Sequence, residues 1–147
     1  MIRPTPELRD TYRHFQAIPT RWADNDVYGH VNNVVYYSYF DTVVNQYLIE
    51  QRALDLVNST VIGLVVETQC EYFAPISFPD VVHAGLRVAK LGNSSVRYEI
   101  GLFRNEEKTA SAQGYFVHVY VDRASRRPTA VPADMRAALQ RLVVATC

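Results

Sequence analysis

The chain is short of several things, and each shortage excludes a class of protein. It has two cysteines in 147 residues, Cys70 and Cys147, and they share no metal-binding or redox spacing. A disulfide scaffold is therefore excluded, and the expectation is two free thiols in a reducing cytoplasm. Charge of one sign is missing too: 15 Lys+Arg balance 15 Asp+Glu. A dedicated nucleic-acid binder or a polybasic membrane binder would carry a basic excess. No apolar run approaches the ~20 residues needed to span a bilayer. The first ten residues, MIRPTPELRD, lack the apolar stretch of a secretory signal. There is no G-x-S-x-G elbow, no G-x-G-x-x-G, no phosphate-binding loop and no H-E-x-x-H. These gaps argue against a Ser-His-Asp hydrolase and a nucleotide-fold enzyme.

What is present is tyrosine, ten in all, four of them (Tyr28, Tyr36, Tyr37, Tyr39) within twelve positions. Lysine is nearly replaced by arginine, 13 to 2. Arginine grips phosphate with two parallel bonds, but a genome-wide codon bias is the preferred reading of the ratio. The length predicts one domain over residues 1–147.

Periodicity then orders the chain. His14 to Trp22 reads as a first strand, with Pro19 marking an edge or bulge. From Asn33 to Ala53 the pattern is helical: Tyr36, Phe40, Val43, Val44, Tyr47 and Leu48 share one apolar face. Asn32 or Asn33 suits the N-cap, because a short side-chain oxygen can take the first free N–H groups. After that the period falls to two. Val61 to Phe73 is one strand. Val82, Ala84, Leu86 and Val88 alternate with polar or small residues in a second. Val96, Tyr98, Ile100 and Leu102 do so in a third, after a turn at Leu91-Gly92-Asn93-Ser94. Ala110 to Val121 forms the last strand, apolar enough to suggest burial on both faces. Pro132 opens a short helix with Met135, Ala138, Leu139 and Leu142 on one side. Short turns between successive strands imply antiparallel pairing, so the expected class is α+β, one long helix across an antiparallel sheet.

Residues 21–33, Arg-Trp-Ala-Asp-Asn-Asp-Val-Tyr-Gly-His-Val-Asn-Asn, hold the concentrated chemistry. They lie between a strand and the start of the longest helix. Such a position offers unpaired N–H groups and the positive end of the helix dipole, a place for a developing oxyanion. Asp24 and Asp26 supply carboxylates and His30 a base or donor, as acyl transfer needs. A plain turn is the competing reading. A calcium loop starting at Asp24 would place Tyr28 and Val35 where oxygen ligands belong, so it fails. A transition-metal site from Asp24, Asp26 and His30 lacks a further nearby His or Cys, and no metal is expected. His14, His83 and His118 fall in strand patterns and read as packing or hydrogen-bonded residues.

Asp-x-Asp-x-x-Gly-His-Val-Asn-Asn, followed by Tyr36 and Phe40-Asp41, resembles the hotdog-fold thioesterases of the 4-hydroxybenzoyl-CoA thioesterase-like group. The likeness continues through Glu71-Tyr72 with Pro75 and Asp80, through Leu91-Gly92-Asn93-Ser94-Ser95-Val96, and through Val121-Asp122-Arg123 with Arg127-Pro128 and Pro132. It spans about residues 14–143. It implies a hotdog fold, an antiparallel sheet wrapped around a long central helix, and hydrolysis of acyl-CoA thioesters without a cofactor. Asp26 matches the catalytic carboxylate, either activating water or attacking the carbonyl. The N–H near Asn33 matches the group that polarises that carbonyl. His30, Asn32 and Asn33 either orient Asp26 or a water, or cap the helix. Asp24 reads as structural, pairing with Arg21 or with loop amides. Asp41, on the helix, is a lesser candidate acid. For CoA the candidates are Lys90, Arg97, Arg104, Arg126 and Arg127, with Ser94 and Ser95 as donors; Tyr36, Tyr37 and Tyr72 are candidates for lining the acyl pocket. The group also implies a homodimer or a dimer of dimers. A non-catalytic acyl-CoA-binding module and a hydroxyacyl-CoA dehydratase are the alternatives; a carboxylate beside an oxyanion site favours the hydrolase.

Overall fold

The computed structural model describes residues 4–144. Five strands form one antiparallel sheet: β1 (His14–Pro19), β2 (Val61–Tyr72), β3 (Val81–Leu91), β4 (Ser95–Arg104) and β5 (Ala112–Asp122), in the order β1-β3-β4-β5-β2. A long helix, α1 (Asn33–Glu50), packs across it, and a short one, α2 (Ala133–Gln140), closes one end. This is the hotdog arrangement.

Period-two alternation builds the face beneath α1. Leu86 pairs with Ile100, Ala84 with Leu102 and Val88 with Tyr98, and all six are fully buried. Onto them α1 lowers Phe40, Val43 and Val44, also without exposure. Burying side chains of this size stabilises by roughly 1.5–3 kcal/mol each. From α2, Met135, Ala138 and Leu139 join the core together with Leu142 just beyond it. The Tyr47 hydroxyl donates to the Ala138 carbonyl at 2.7 Å and so ties the two helices.

Four expectations need correcting. β1 stops at Pro19, and Trp22–Asp24 is instead a 3-10 turn closed by Asp24 N–H on the Arg21 carbonyl. Pro19 can end the strand because β1 is an edge and needs no donor outward. α1 ends at Glu50, not Ala53: Arg52 takes a left-handed conformation (φ 57°), and Ala53 N–H folds back to the Leu48 carbonyl. That is the helix-stop geometry usually made by glycine. The last strand begins at Ala112. It is not buried on both faces: Ala112, Phe116, His118 and Tyr120 face α1, while Gln113, Tyr115, Val117 and Val119 are only half-buried on the outer face. The buried stripe on α1 also includes Tyr39, whose hydroxyl has a polar partner described below.

Candidate active site

The loop from Arg21 to Asn32 is closed by its own backbone. Asn25 and Val31 pair as an isolated antiparallel bridge. Inside it the Asp26 N–H donates to the His30 carbonyl (2.8 Å) and Gly29 N–H to the Asp26 carbonyl (3.1 Å). Gly29 sits at φ 82°, where a side chain would be strained, and this is what makes the turn so tight. Tyr28 N–H donates to Oδ1 of Asp26 at 2.9 Å, fixing the carboxylate by one oxygen. The β2–β3 connection braces the loop from outside. Val31 N–H donates to the Ile76 carbonyl (2.7 Å), Ser77 Oγ to the Gly29 carbonyl (2.8 Å), and Phe78 N–H to Oδ1 of Asn25 (3.1 Å).

The loop delivers the chain to the start of α1. Asn32 is the N-cap: its Oδ1 accepts from Val34 N–H at 3.1 Å and its carbonyl from Val35 N–H at 2.9 Å. Asn33 is the first helical residue, and among the described residues nothing accepts from its N–H. That donor sits at the positive end of an 18-residue helix.

Asp26, His30 and Asn33 line one cleft of about 610 Å³, with Val31, Tyr36, Tyr72, Phe73, Ala74 and Pro75 as its other walls. The cleft thus runs between the N-terminus of α1 and the end of β2. Tyr72 donates its hydroxyl to the Asn33 carbonyl at 2.9 Å, joining these two walls. Tyr36 is buried, and its burial pushes the phenol upward although a backbone hydrogen bond from Ile76 opposes this. Burial likewise pushes the neighbouring Cys70 thiol up to about 11, so it stays protonated at neutral pH and is a poor nucleophile. Cys147 lies outside the described residues. Asp26 also borders a second cleft, about 490 Å³, walled by Trp22, Asn25, Val27 and Gly29.

The remaining candidates lie elsewhere in the chain. Tyr37 packs edge-on against Phe40 rather than into the cleft. Asp41 points outward, accepting from Asn45. Lys90, Ser94, Ser95 and Arg97 sit on and beside the β3–β4 hairpin, away from Asp26. Arg97 lies over the Tyr115 ring on the outer sheet face and pairs with Glu99. Arg104 is engaged by Asp80 at 2.9 Å. Arg126 and Arg127 are exposed on the turn after β5. Asp24 does pair with Arg21, at 2.8 Å. Sequence reasoning missed Phe73 and Ala74 as walls and the brace from Ile76, Ser77 and Phe78. The Pro75 and Pro79 punctuation marked a break there, but nothing local showed that it folds back on the loop.

Residues 20–139 match the model of the thioesterase-like superfamily, and the chain belongs to that family. Among solved structures it is similar to the PA5185 protein from Pseudomonas aeruginosa strain PAO1, at 56% identity with a TM-score of 0.93, over 98% of this chain and 100% of that one. It is similar to the PA2801 protein of Pseudomonas aeruginosa at 32% identity, TM-score 0.79, over 86% and 98%. BH1999, a gentisyl-coenzyme A thioesterase, is alike in fold at 21% identity, TM-score 0.75, over 86% and 99%.

Proposed function

We propose that the chain hydrolyses acyl-CoA thioesters to a carboxylic acid and free CoA. The observation that carries this is the shared cleft: a carboxylate, Asp26, and a helix-start donor, the Asn33 N–H, line the same walls. Family membership supports thioester hydrolysis as the class of reaction.

In this reading the thioester carbonyl oxygen points at the Asn33 N–H, where the helix dipole favours the negative charge that develops as the carbon becomes tetrahedral. Asp26, tethered through Oδ1, leaves Oδ2 to take a proton from water or to attack the carbon itself. His30, exposed at the rim, donates to or orders the incoming water. Tyr36 and Tyr72 face the acyl side. The CoA arm extends toward Lys90, Ser94, Ser95 and Arg97 of a second copy, in a homodimer or dimer of dimers working in the cytoplasm.

The test is thiol release from a panel of short, branched, aromatic and long acyl-CoAs. Turnover of at least one, abolished in Asp26→Asn, supports the reading. A panel without turnover, run beside tight binding of acyl-CoA, would point to a non-catalytic module instead.

A further inference from the structure

Asp24 is the other carboxylate of the loop, and its surroundings differ from those of Asp26. Its side chain is 2% exposed, and it has four donors. Arg21 contributes its N–H to Oδ2 at 2.8 Å, and its Nε and Nη2 to Oδ1 at 3.0 and 2.8 Å. The fourth is the Tyr39 hydroxyl, from the second turn of α1, at 3.0 Å to Oδ2. The main chain of Asp24 adds a further tie, its carbonyl accepting from the Asn32 N–H at 2.9 Å. One residue therefore binds the loop's entrance (Arg21), the helix body (Tyr39) and the helix cap (Asn32). It stands two positions before Asp26, and its carbonyl holds the residue just before Asn33.

We propose that Asp24, latched to Tyr39 and Arg21, is a positioning residue for the thioester site, holding Asp26 and the Asn33 N–H in fixed relation across the cleft. The inference rests on the reaction proposed above. The physical case is one of connectivity. Residues 25–31 form a closed loop whose internal bonds leave it rigid but do not anchor it to α1. Its ties to the β2–β3 connection set its height above the sheet. The Tyr39 hydroxyl ties Asp24 into α1 itself, and the Asp24 carbonyl holds the helix cap at Asn32. A reacting carboxylate and an oxyanion donor must agree to within a fraction of an ångström, and a displacement near 1 Å can cost on the order of a hundredfold in rate. The carboxylate is also ionised where it needs to be: burial works to raise it, but the bonds from Arg21 and Tyr39 outweigh this and hold it below the ordinary range.

The experiment compares Tyr39→Phe, Asp24→Asn and the double variant with wild type. Tyr39→Phe removes one hydroxyl and keeps the ring, so it keeps the test open even where Asp24→Asn fails to fold. Met135→Ala, in α2 and outside the latch, serves as a control of lowered stability. Expected for Tyr39→Phe is a kcat lower by about tenfold with KM within about twofold, because the loss lies in the transition state. The double variant should lose less than the product of the two single losses, since both weaken the same latch between Arg21, Asp24 and Tyr39. Met135→Ala should lower the melting temperature and leave kcat in place below unfolding. Amide hydrogen exchange provides a readout independent of turnover. The Asp26 and Asn32 amides should exchange at least about tenfold faster in Tyr39→Phe, with Leu86 and Ile100 unchanged. Wild-type kcat in Tyr39→Phe, or unaltered exchange at Asp26 and Asn32, overturns the proposal. A wild type that turns over no thioester refutes the reaction instead, and exchange alone then decides whether the latch holds the loop.

Discussion

Replacing Asp26 by asparagine separates the chemistry of the site from its architecture, because the loop uses only half of the carboxylate. Oδ1 accepts the Tyr28 N–H at 2.9 Å, and an asparagine can keep that oxygen there. The two backbone bonds at this position, Asp26 N–H to His30 and Gly29 N–H to Asp26, do not involve the side chain. The site is only half-buried, so the loss in stability should stay within about 0.5 kcal/mol, typical of a surface change. What disappears is the second oxygen with its charge. A positioned general base is worth roughly 10²–10⁴ in rate, so the barrier should rise by at least about 2.7 kcal/mol. The cost falls on the transition state, so kcat should drop by at least ~10² while KM stays near its wild-type value. The assay is free thiol released from the best acyl-CoA of the panel, followed by absorbance at several substrate concentrations, with urea denaturation run alongside. A kcat within about threefold of wild type, in a variant of wild-type stability, would refute the assignment, and Asp41 and His30 would be tested next.

Two further outcomes follow from other parts of the fold. His118 is buried between Phe116, Tyr98 and Tyr120, and its Nε2 has no hydrogen-bond partner among the described residues. Burial pulls its pKa down to about 4, against an opposing pull from the Asp41 charge. The folded value lies below the unfolded one near 6.5, so the unfolded chain binds the proton first: stability is intact above pH ~6.5 and falls by up to about 3 kcal/mol by pH ~4. His118→Phe should flatten that part of the acid limb in urea denaturation at pH 7, 5.5 and 4.5, and an unchanged slope would show that His118 is not its source. Separately, activity should survive exhaustive EDTA treatment, since the described residues contain no group of three or more His, Cys, Asp or Glu placed to hold an ion. Loss with EDTA and return with one particular divalent metal would overturn this.

Much of the fold is written in short-range pattern. The alternation in β3 and β4 and the 3.6-residue stripe of α1 name the residues that meet in the core, because burial on one face is what each periodicity encodes. The family motif also marks the Asp26 loop before any coordinates. Contacts between distant positions are another matter. Asp24 and Tyr39 stand fifteen residues apart, and neither type is unusual where it stands. The brace from Ile76 and Ser77 spans more than forty. Helix termination at Arg52 was hidden because an arginine fills a position where glycine would have given the signal. The pattern of β5 misleads for a related reason: Val117 and Val119 are β-branched and apolar, yet the described residues cover their face of the sheet only in part.

β2 is the edge strand with most to hide, and it leads to the final prediction. Twelve residues long, it is exposed from Gly63 to Gln69, including Leu64, Val65 and Val66 at 38%, 50% and 60%. The other edge, β1, is half that length and is blunted by Pro19. A long apolar edge with free N–H and C=O groups is a template for pairing. A second copy is the self-complementary choice, two β2 strands running antiparallel about a two-fold axis. That axis would set the Val61 end of the partner's β2 against the Tyr72 end of this one. The Val61 end adjoins the end of β5, and Ser95 pairs there with Val119 while Tyr120 N–H donates to the Ser94 carbonyl. In that dimer the hairpin of one copy, two to three strand spacings or about 10–15 Å from its own β2 edge, would approach the Asp26 cleft of the other. Such a pairing would carry Lys90, Ser94, Ser95 and Arg97 of one copy toward Asp26 of the other. Sedimentation equilibrium at micromolar concentration should show a dimer or larger, and a fully active 16.7 kDa monomer would sink the argument. For the shared site, Asp26→Asn is mixed with a Lys90→Ala/Arg97→Ala chain, whose KM for acyl-CoA should be raised about tenfold or more. Each heterodimer then holds one site with both defects and one with neither, so about half of wild-type activity should return per heterodimer. No recovery after confirmed subunit exchange would place the whole site within a single chain.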